Sequence, residues 1–214
     1  MPLLYSYRRC PYAMRARMAL LQARCAFDAH EIELRHKPAA LLACSPKGTV
    51  PVLVLPDGRV LEESWHIMAW AWEQGSDPEG WATAQTPENL ALLHANDGAF
   101  KQHLDRYKYP ERYADLGLHR DQHRHAAVDA LLRPLEDRLQ RHAHLGGDRP
   151  CATDLAVFPF VRQFAAVEPA WFDGQPWPAL QAWLAHWTQS PLFMACMARL
   201  PVNTPMRFPA LDPT

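Results

Sequence analysis

The chain has 214 residues, enough for one large domain or two small ones with real cores. Lys and Arg total 22 against 23 Asp and Glu, a formal net charge of -1, and that balance points to no nucleic-acid partner and no acidic tail. No apolar run approaches the roughly 20 residues that span a bilayer. The first residues lack a basic start followed by a long apolar core, so a cytoplasmic protein with no membrane partner is expected.

The five cysteines, Cys10, Cys25, Cys44, Cys151 and Cys196, are odd in number and widely spaced, which argues against a disulfide framework. The tryptophans cluster at 65–81 and 171–187, which suggests aromatic-rich packing or pocket surfaces in both halves.

Residues 3–7 form a short apolar run that reads as a strand, and a basic turn at Arg8-Arg9 follows it. Residues 11–24 have helical periodicity, with Ala13, Met14, Met18, Ala19 and Leu21 inward and Arg15, Arg17 and Arg24 pointing away. Residues 26–34 alternate imperfectly as a second strand. Strand–helix–strand predicts a parallel pair with a right-handed crossover. A polar loop over 35–48 ends in the turn signal Ser45-Pro46-Lys47-Gly48. A strand over 49–55, the turn Pro56-Asp57-Gly58-Arg59 and Val60-Leu61 make a hairpin. Ser64 is a cap candidate for a helix over 65–73.

The pattern β-α-β-loop-β-β-α is the thioredoxin-like arrangement and is assigned to residues 1–75. Residues 76–87, rich in turn formers, read as a linker. Residues 88–214 read as all-helical: long helices over 87–107 and 121–142, a core helix over 151–167 and shorter ones over 178–188 and 191–198. Pro134 should kink the second or mark a junction, and Pro159 should bend the core helix. The tail from Pro201 is expected on the surface. The fold class is thus α/β plus all-α, and there are no internal repeats.

The chemistry concentrates at Cys10-Pro11. Proline suits the first helical position, where its missing N–H would have no helical partner. Cys10 then caps the helix, among unpaired backbone N–H groups and at the positive end of the dipole. That position, with Arg8 and Arg9 beside it, favours the thiolate and makes Cys10 the candidate nucleophile. A buried inert cysteine is the competing reading. Ala13 stands where a CxxC partner would be, so any redox chemistry here uses one thiol. His119, His123 and His125 lack a carboxylate or cysteine partner at ligand spacing, and no metal is expected.

Three motifs in order carry a resemblance over essentially the whole chain: Arg9-Cys10-Pro11-Tyr12-Ala13, Ser45-Pro46-Lys47-Gly48-Thr49-Val50-Pro51-Val52-Leu53 and Leu61-Glu62-Glu63-Ser64. They resemble the active-site stretch, the loop before a cis-proline and the glutamate–serine motif of the cytosolic glutathione S-transferases, in particular the cysteine-type (omega-like and glutaredoxin 2-like) members. Cys151-Ala152-Thr153-Asp154 is similar to the family's Ser/Thr-x-x-Asp capping box, with a thiol where a hydroxyl is usual. Either the box is weakened or Thr153 caps instead, and Cys151 is expected to be structural.

The resemblance implies glutathione as cosubstrate. Val50, ahead of a cis Pro51, would pair with its cysteinyl unit as an added strand does. Glu63 and Ser64 would take its γ-glutamyl end, and Lys37, or its neighbours Arg35 and His36, its glycyl end. Tyr12, Tyr107, Phe158, Arg162 and Trp171 are candidates for an acceptor pocket between the domains, with packing the competing reading for each. The implied activity is thiol transfer: Cys10 forms a mixed disulfide with glutathione while reducing a disulfide, dehydroascorbate or a glutathionyl adduct. The implied partners are a small hydrophobic or disulfide acceptor and a second copy in a homodimer. The alternatives are a transferase that conjugates glutathione to electrophiles, using Ser6 or Tyr7, and a non-catalytic binding protein of the same fold.

Overall fold

The computed structural model describes residues 1–113, 117 and 119–210. They form two compact units, Met1–Pro78 together with Gln189–Thr214, and Glu79–Thr188. The first unit contains β1 (Leu3–Ser6), α1 (Pro11–Gln22), β2 (Asp28–Glu31), α2 (Ala39–Cys44), β3 (Val52–Val54), β4 (Val60–Leu61) and α3 (Ser64–Gln74). The sheet runs β4-β3-β1-β2 and then a fifth strand, β5 (Met206–Arg207), supplied by the tail. β1 and β2 are parallel, as the strand–helix–strand pattern requires, and the other pairings are antiparallel. This is the thioredoxin-like arrangement with one added edge strand.

Strand alternation divides the core between the two faces of the sheet. Tyr5, Ile32 and Val52 pack with Leu41 of α2 on one face. α1 and α3 pack against each other, and α1 is buried from Pro11 to Leu21 except at Tyr12. That burial corrects the expectation for two arginines. Arg15 and Arg17 do not point away; they are 0% and 2% exposed. Their guanidinium groups find polar partners inside, which periodicity cannot reveal.

The second unit is helical: α4 (Pro78–Ala84), α5 (Pro87–Ala95), α6 (Lys101–Lys108), α7 (Arg120–Ala127), α8 (Arg133–Leu139), α9 (Ala152–Ala165), α10 (Pro169–Asp173) and α11 (Pro178–Gln189). The long helix expected over 87–107 is α5 and α6 joined by a π-turn at Asn96–Phe100, where Gly98 leaves helical geometry. A second π-turn, Val128–Leu132, joins α7 to α8 just before Pro134. Proline offers no N–H to the preceding turn, so the ladder widens there. Pro159 is accommodated inside α9.

Two boundaries differ from expectation. The stretch 76–87 is not an open linker, since α4 occupies most of it. α12 (Pro191–Cys196) and the tail group with the first unit, so the helical unit ends near residue 188 and not at 214. Residues 201–210 lie on the surface as expected, exposed at every position but Phe208, and are tied to the sheet by backbone bonds. Asn203 N donates to Glu31 O at 2.8 Å and Phe208 N to Phe27 O at 3.0 Å. The expected end of the tail, 211–214, lies outside the described residues. Among those described, no helix is long and apolar enough to cross a membrane.

Candidate active site

Cys10 occupies the N-cap of α1 with extended backbone (φ -76, ψ 122), and Pro11 takes the first helical position. Its N–H donates to Tyr7 O and its carbonyl accepts from Met14 N, each at 2.9 Å. The side chain is half-buried and in no disulfide. Sγ lies 3.7 Å from Val50 O. The Val50–Pro51 bond is cis, as the motif implied. The thiol therefore sits beside the peptide group that precedes the cis-proline.

The turn that presents Cys10 is fixed by charged side chains beneath it. Arg8 N donates to Glu31 Oε1 at 2.6 Å, and Arg8 O accepts from Arg17 at 2.7 Å. Arg17 also donates to Ser6 Oγ, to Tyr7 O at 3.4 Å and to Cys196 O at 2.9 Å. It thus ties β1, the turn and the last residue of α12 together. Burial pushes the Glu31 carboxyl above its usual range, opposed by the bond from Arg8 and the charges of Arg17 and Arg8. Sequence reasoning missed Arg17 and Glu31. The only available signal was two arginines inside an otherwise apolar helix.

The glutamate–serine motif also falls differently from its reading. Glu63, not Ser64, is the N-cap of α3, with no side-chain cap bond, and Ser64 is the first helical residue. Ser64 Oγ is buried and accepts from Arg15 at 3.4 Å. The α3 N-terminus and its first amides are thereby oriented by α1. Glu63 forms an ion pair with Lys47, a partner not foreseen. The Glu63 carboxylate holds the Lys47 ammonium above its ordinary value. Glu62, the residue before, accepts from the buried Ser45 hydroxyl at 2.6 Å.

Among Arg35, His36 and Lys37, the structure separates the last two. His36 Nδ1 is 3.1 Å from Glu33 and exposed. Lys37 lies over Gly48. Gly48 has φ +59, and a Cβ there would meet Leu42 Cδ2 at 2.9 Å and Lys37 Nζ at 3.3 Å. Only glycine allows that close approach with that backbone. Cys10, Val50, Pro51, Glu63, Ser64 and Lys37 all belong to the first unit.

Two of the acceptor-pocket expectations are corrected. Tyr107 and Phe158 are 0% exposed, so neither lines an open surface. The Tyr107 hydroxyl donates to Glu168 Oε2 at 2.8 Å, and burial, then that bond, push its pKa up to about 12. Phe158 packs against Trp183 and Trp187. Trp171 is half-buried under Arg124, whose guanidinium carbon lies 4.5 Å from the ring centre. Arg162 is half-buried on α9, and Tyr12 is half-buried on α1 with Arg15 5.3 Å from its ring centre. The two side chains of the conjugating alternative, Ser6 and Tyr7, are both engaged in hydrogen bonds. Ser6 is buried and bonded to Arg17, and the Tyr7 hydroxyl accepts from Arg9 at 3.0 Å. Among the described residues, no group of three or more histidine, cysteine or acidic side chains is gathered as a metal cage.

A thioredoxin-like unit with a cysteine capping its first helix, a cis-proline beside that thiol and a helical second unit define a glutathione S-transferase architecture. Comparison with known families agrees. The model "Glutathione S-transferase, N-terminal domain" matches residues 9–74, and "Glutathione S-transferase, C-terminal domain" matches 97–186, together well over half of the chain. The chain belongs to the glutathione S-transferase family.

Among curated relatives it is similar to the mouse (Mus musculus) glutathione S-transferase omega-1, 26% identical over 202 residues, with 92% of this chain and 77% of that protein covered. It is also similar to glutathione S-transferase DHAR2 of Arabidopsis thaliana, 29% identical over 153 residues, with 70% of this chain and 64% of that protein covered. In fold it is similar to a glutathione S-transferase from Rhodospirillum rubrum F11, with TM-score 0.70, 24% identity and 94% of each chain covered.

Proposed function

We propose that the protein is a glutathione-dependent thiol transferase with Cys10 as nucleophile. The observation that carries this reading is the 3.7 Å approach of Cys10 Sγ to Val50 O, next to the cis Val50–Pro51 bond. In this reading the Cys10 thiolate attacks the glutathione sulfur of a mixed disulfide. The Cys10–glutathione bond forms, and the other thiol leaves as thiolate. A second glutathione thiolate then attacks the glutathione sulfur bound to Cys10, releasing glutathione disulfide and restoring the Cys10 thiolate. The net change turns one mixed disulfide and one glutathione into a free thiol and glutathione disulfide, the electron pair coming from the incoming glutathione thiolate. No resolving cysteine is needed, in keeping with Ala13 at the position where a CxxC motif has its second thiol.

Glutathione is held, in the same reading, by Val50 through its backbone, with Pro51 setting that peptide's orientation. Ser64 and the first amides of α3 take the γ-glutamyl carboxylate, and Glu63 takes the ammonium group. Glu63 already pairs with one ammonium, that of Lys47, so the ligand exchanges one cation for another. Lys37 serves the glycyl carboxylate from above Gly48. Tyr12 is the acceptor-side residue of the first unit, and Arg162 and Trp171 are the candidates on the second. The protein acts in the cytoplasm as a homodimer, an expectation drawn from the family. The kinship with an omega-class and a DHAR-named transferase favours thiol transfer over conjugation to electrophiles.

Intact mass after mixing with glutathione disulfide tests the reading. One glutathione adduct is expected, removed by added glutathione and absent from Cys10→Ser. An adduct that survives the substitution moves the nucleophile elsewhere. Binding of glutathione without an adduct favours conjugation, and neither adduct nor binding leaves a non-catalytic protein.

A further inference from the structure

At the end of α1 opposite Cys10 the first unit holds a cavity of about 260 Å³. The 12 residues of α1 separate it from the thiol by about 18 Å of helix at 1.5 Å per residue. Its lining includes Leu21, Arg24, Cys25, Phe27, Arg207 and Phe208. The tail builds half of it. β5 pairs with β2 through Asp28↔Arg207 and Ala29↔Met206. Phe208 then stacks on Phe27, ring centres 4.9 Å apart and planes 14° from parallel.

We propose that this cavity binds a small organic carboxylate with a flat apolar body. Arg24 and Arg207 hold the carboxylate, and Ala26, Pro209 and Ala210, the exposed apolar residues of the lining, contact the body over a floor of buried Leu21, Phe27 and Phe208. Neither arginine has a carboxylate partner among the described residues. Asp28 stands opposite Arg207 across the ladder yet is in no ion pair with it. Planar guanidinium groups match carboxylates in two-point geometry. Small-molecule pockets of this kind are apolar with a few convergent polar groups, and about 300 Å³ is the lower end of their usual range. The volume suits a single substituted ring.

Arg24 is conspicuous in its own right. It follows Ala23, the C-cap of α1, with φ 54, a left-handed conformation usually given to glycine or asparagine, at a cost of about 1 kcal/mol for another residue. A cation near a helix C-terminus suits the dipole, which accounts for part of Arg24 but not for Arg207 arriving from the tail. Two of the last carbonyls of α1 are already capped by backbone donors: Leu21 O accepts from Arg24 N at 3.0 Å and Leu20 O from Cys25 N at 2.9 Å. Burial also raises the Cys25 thiol, so it adds no negative charge to the site.

Cys25 supplies the readout, and Cys10→Ser supplies a background in which failure of the thiol-transfer reading cannot interfere. That protein is alkylated with N-ethylmaleimide alongside sodium benzoate or benzyl alcohol at matched ionic strength, and Cys25 and Cys44 are followed by peptide mass. Benzoate is expected to slow Cys25 labelling several-fold and saturably, leaving Cys44 unchanged. Benzyl alcohol is not expected to do so. Combining Arg24→Gln with Arg207→Gln should abolish the protection. Asp212→Asn, in the same background, removes the chain's own carboxylate nearest in sequence as a competitor. Labelling unaffected by benzoate both with and without Asp212→Asn overturns the proposal. Equal protection by benzyl alcohol, or protection that survives loss of both arginines, overturns it as well.

Discussion

Arg17 is 2% exposed and makes its bonds to Arg8 O, Tyr7 O, Ser6 Oγ and Cys196 O from inside the first unit. A methionine would fill much of the same volume but leave buried carbonyls without donors. Each unsatisfied group costs about 1–3 kcal/mol, so Arg17→Met should destabilise by about 2–4 kcal/mol in urea unfolding. A variant as stable as the parent would show that water or rearrangement replaces those bonds. The same residue shows where sequence reading stops. Cys10 and Pro11 were legible because strand, basic turn, cysteine and proline each have a local meaning. Arg17 was not, because its partners lie from 9 to 179 residues away in sequence. A helical wheel assigns arginine to water unless those partners are known. Tyr107 and Phe158 were misplaced for the complementary reason: an aromatic side chain fits a core and a pocket equally well until its neighbours are seen.

At the scale of the element, α9 depends on a carboxylate rather than on its odd cap. Asp154 is 0% exposed and accepts from Cys151 N at 2.9 Å, Leu145 N at 2.9 Å and Trp183 Nε1 at 2.8 Å. The capping box is closed with Cys151 as N-cap, so Thr153 is not the cap. Burial pushes the Cys151 thiol up to about 11, in line with a structural role. Asp154→Ala strands three buried donors and should cost about 3–5 kcal/mol by the same accounting, measured as the shift in urea midpoint. Asp154→Asn, which keeps one oxygen, should lose less; equal losses would mean that charge rather than hydrogen bonding holds the loop. The pairing of α6 with α7 predicts a pH dependence. His103 Nδ1 and His123 Nδ1 are 2.9 Å apart, so one ring donates and the other accepts. Burial lowers both pKa values; Arg106 lowers both further, and His103 also lowers that of His123. Unfolded, each titrates near about 6.5. Below that pH the unfolded chain binds more protons, so the pair's contribution is full above about 6.5 and is lost as pH falls towards the folded values. His123→Leu should flatten the stability–pH curve in that acid window. An unchanged slope would place the titration elsewhere.

At the scale of the whole chain, the order of strands and helices was legible because periodicity and proline–glycine punctuation are local signals. The joining of residues 189–214 to the first unit was not. A strand of two residues has no periodicity to read, and its partner β2 lies far back in the sequence. Yet that short strand covers what would otherwise be the exposed edge of the sheet, a site for pairing with other chains. It also brings Phe208 to 4% exposure against Phe27, and Asn203 N bonds to the backbone of Glu31, the residue whose side chain holds the turn before Cys10. Phe208→Ala should therefore destabilise by about 3 kcal/mol, as large-to-small core changes do. Removal of residues 199–214 should cost at least as much, and should also uncover the β2 backbone. The expected result is a lower urea midpoint for both proteins, with concentration-dependent light scattering only in the truncated one. If Phe208→Ala aggregates equally, loss of the aromatic contact is sufficient and β5 does not protect the edge. If the truncated protein is as stable and as monodisperse as Phe208→Ala, the backbone pairing of β5 contributes nothing beyond that one ring.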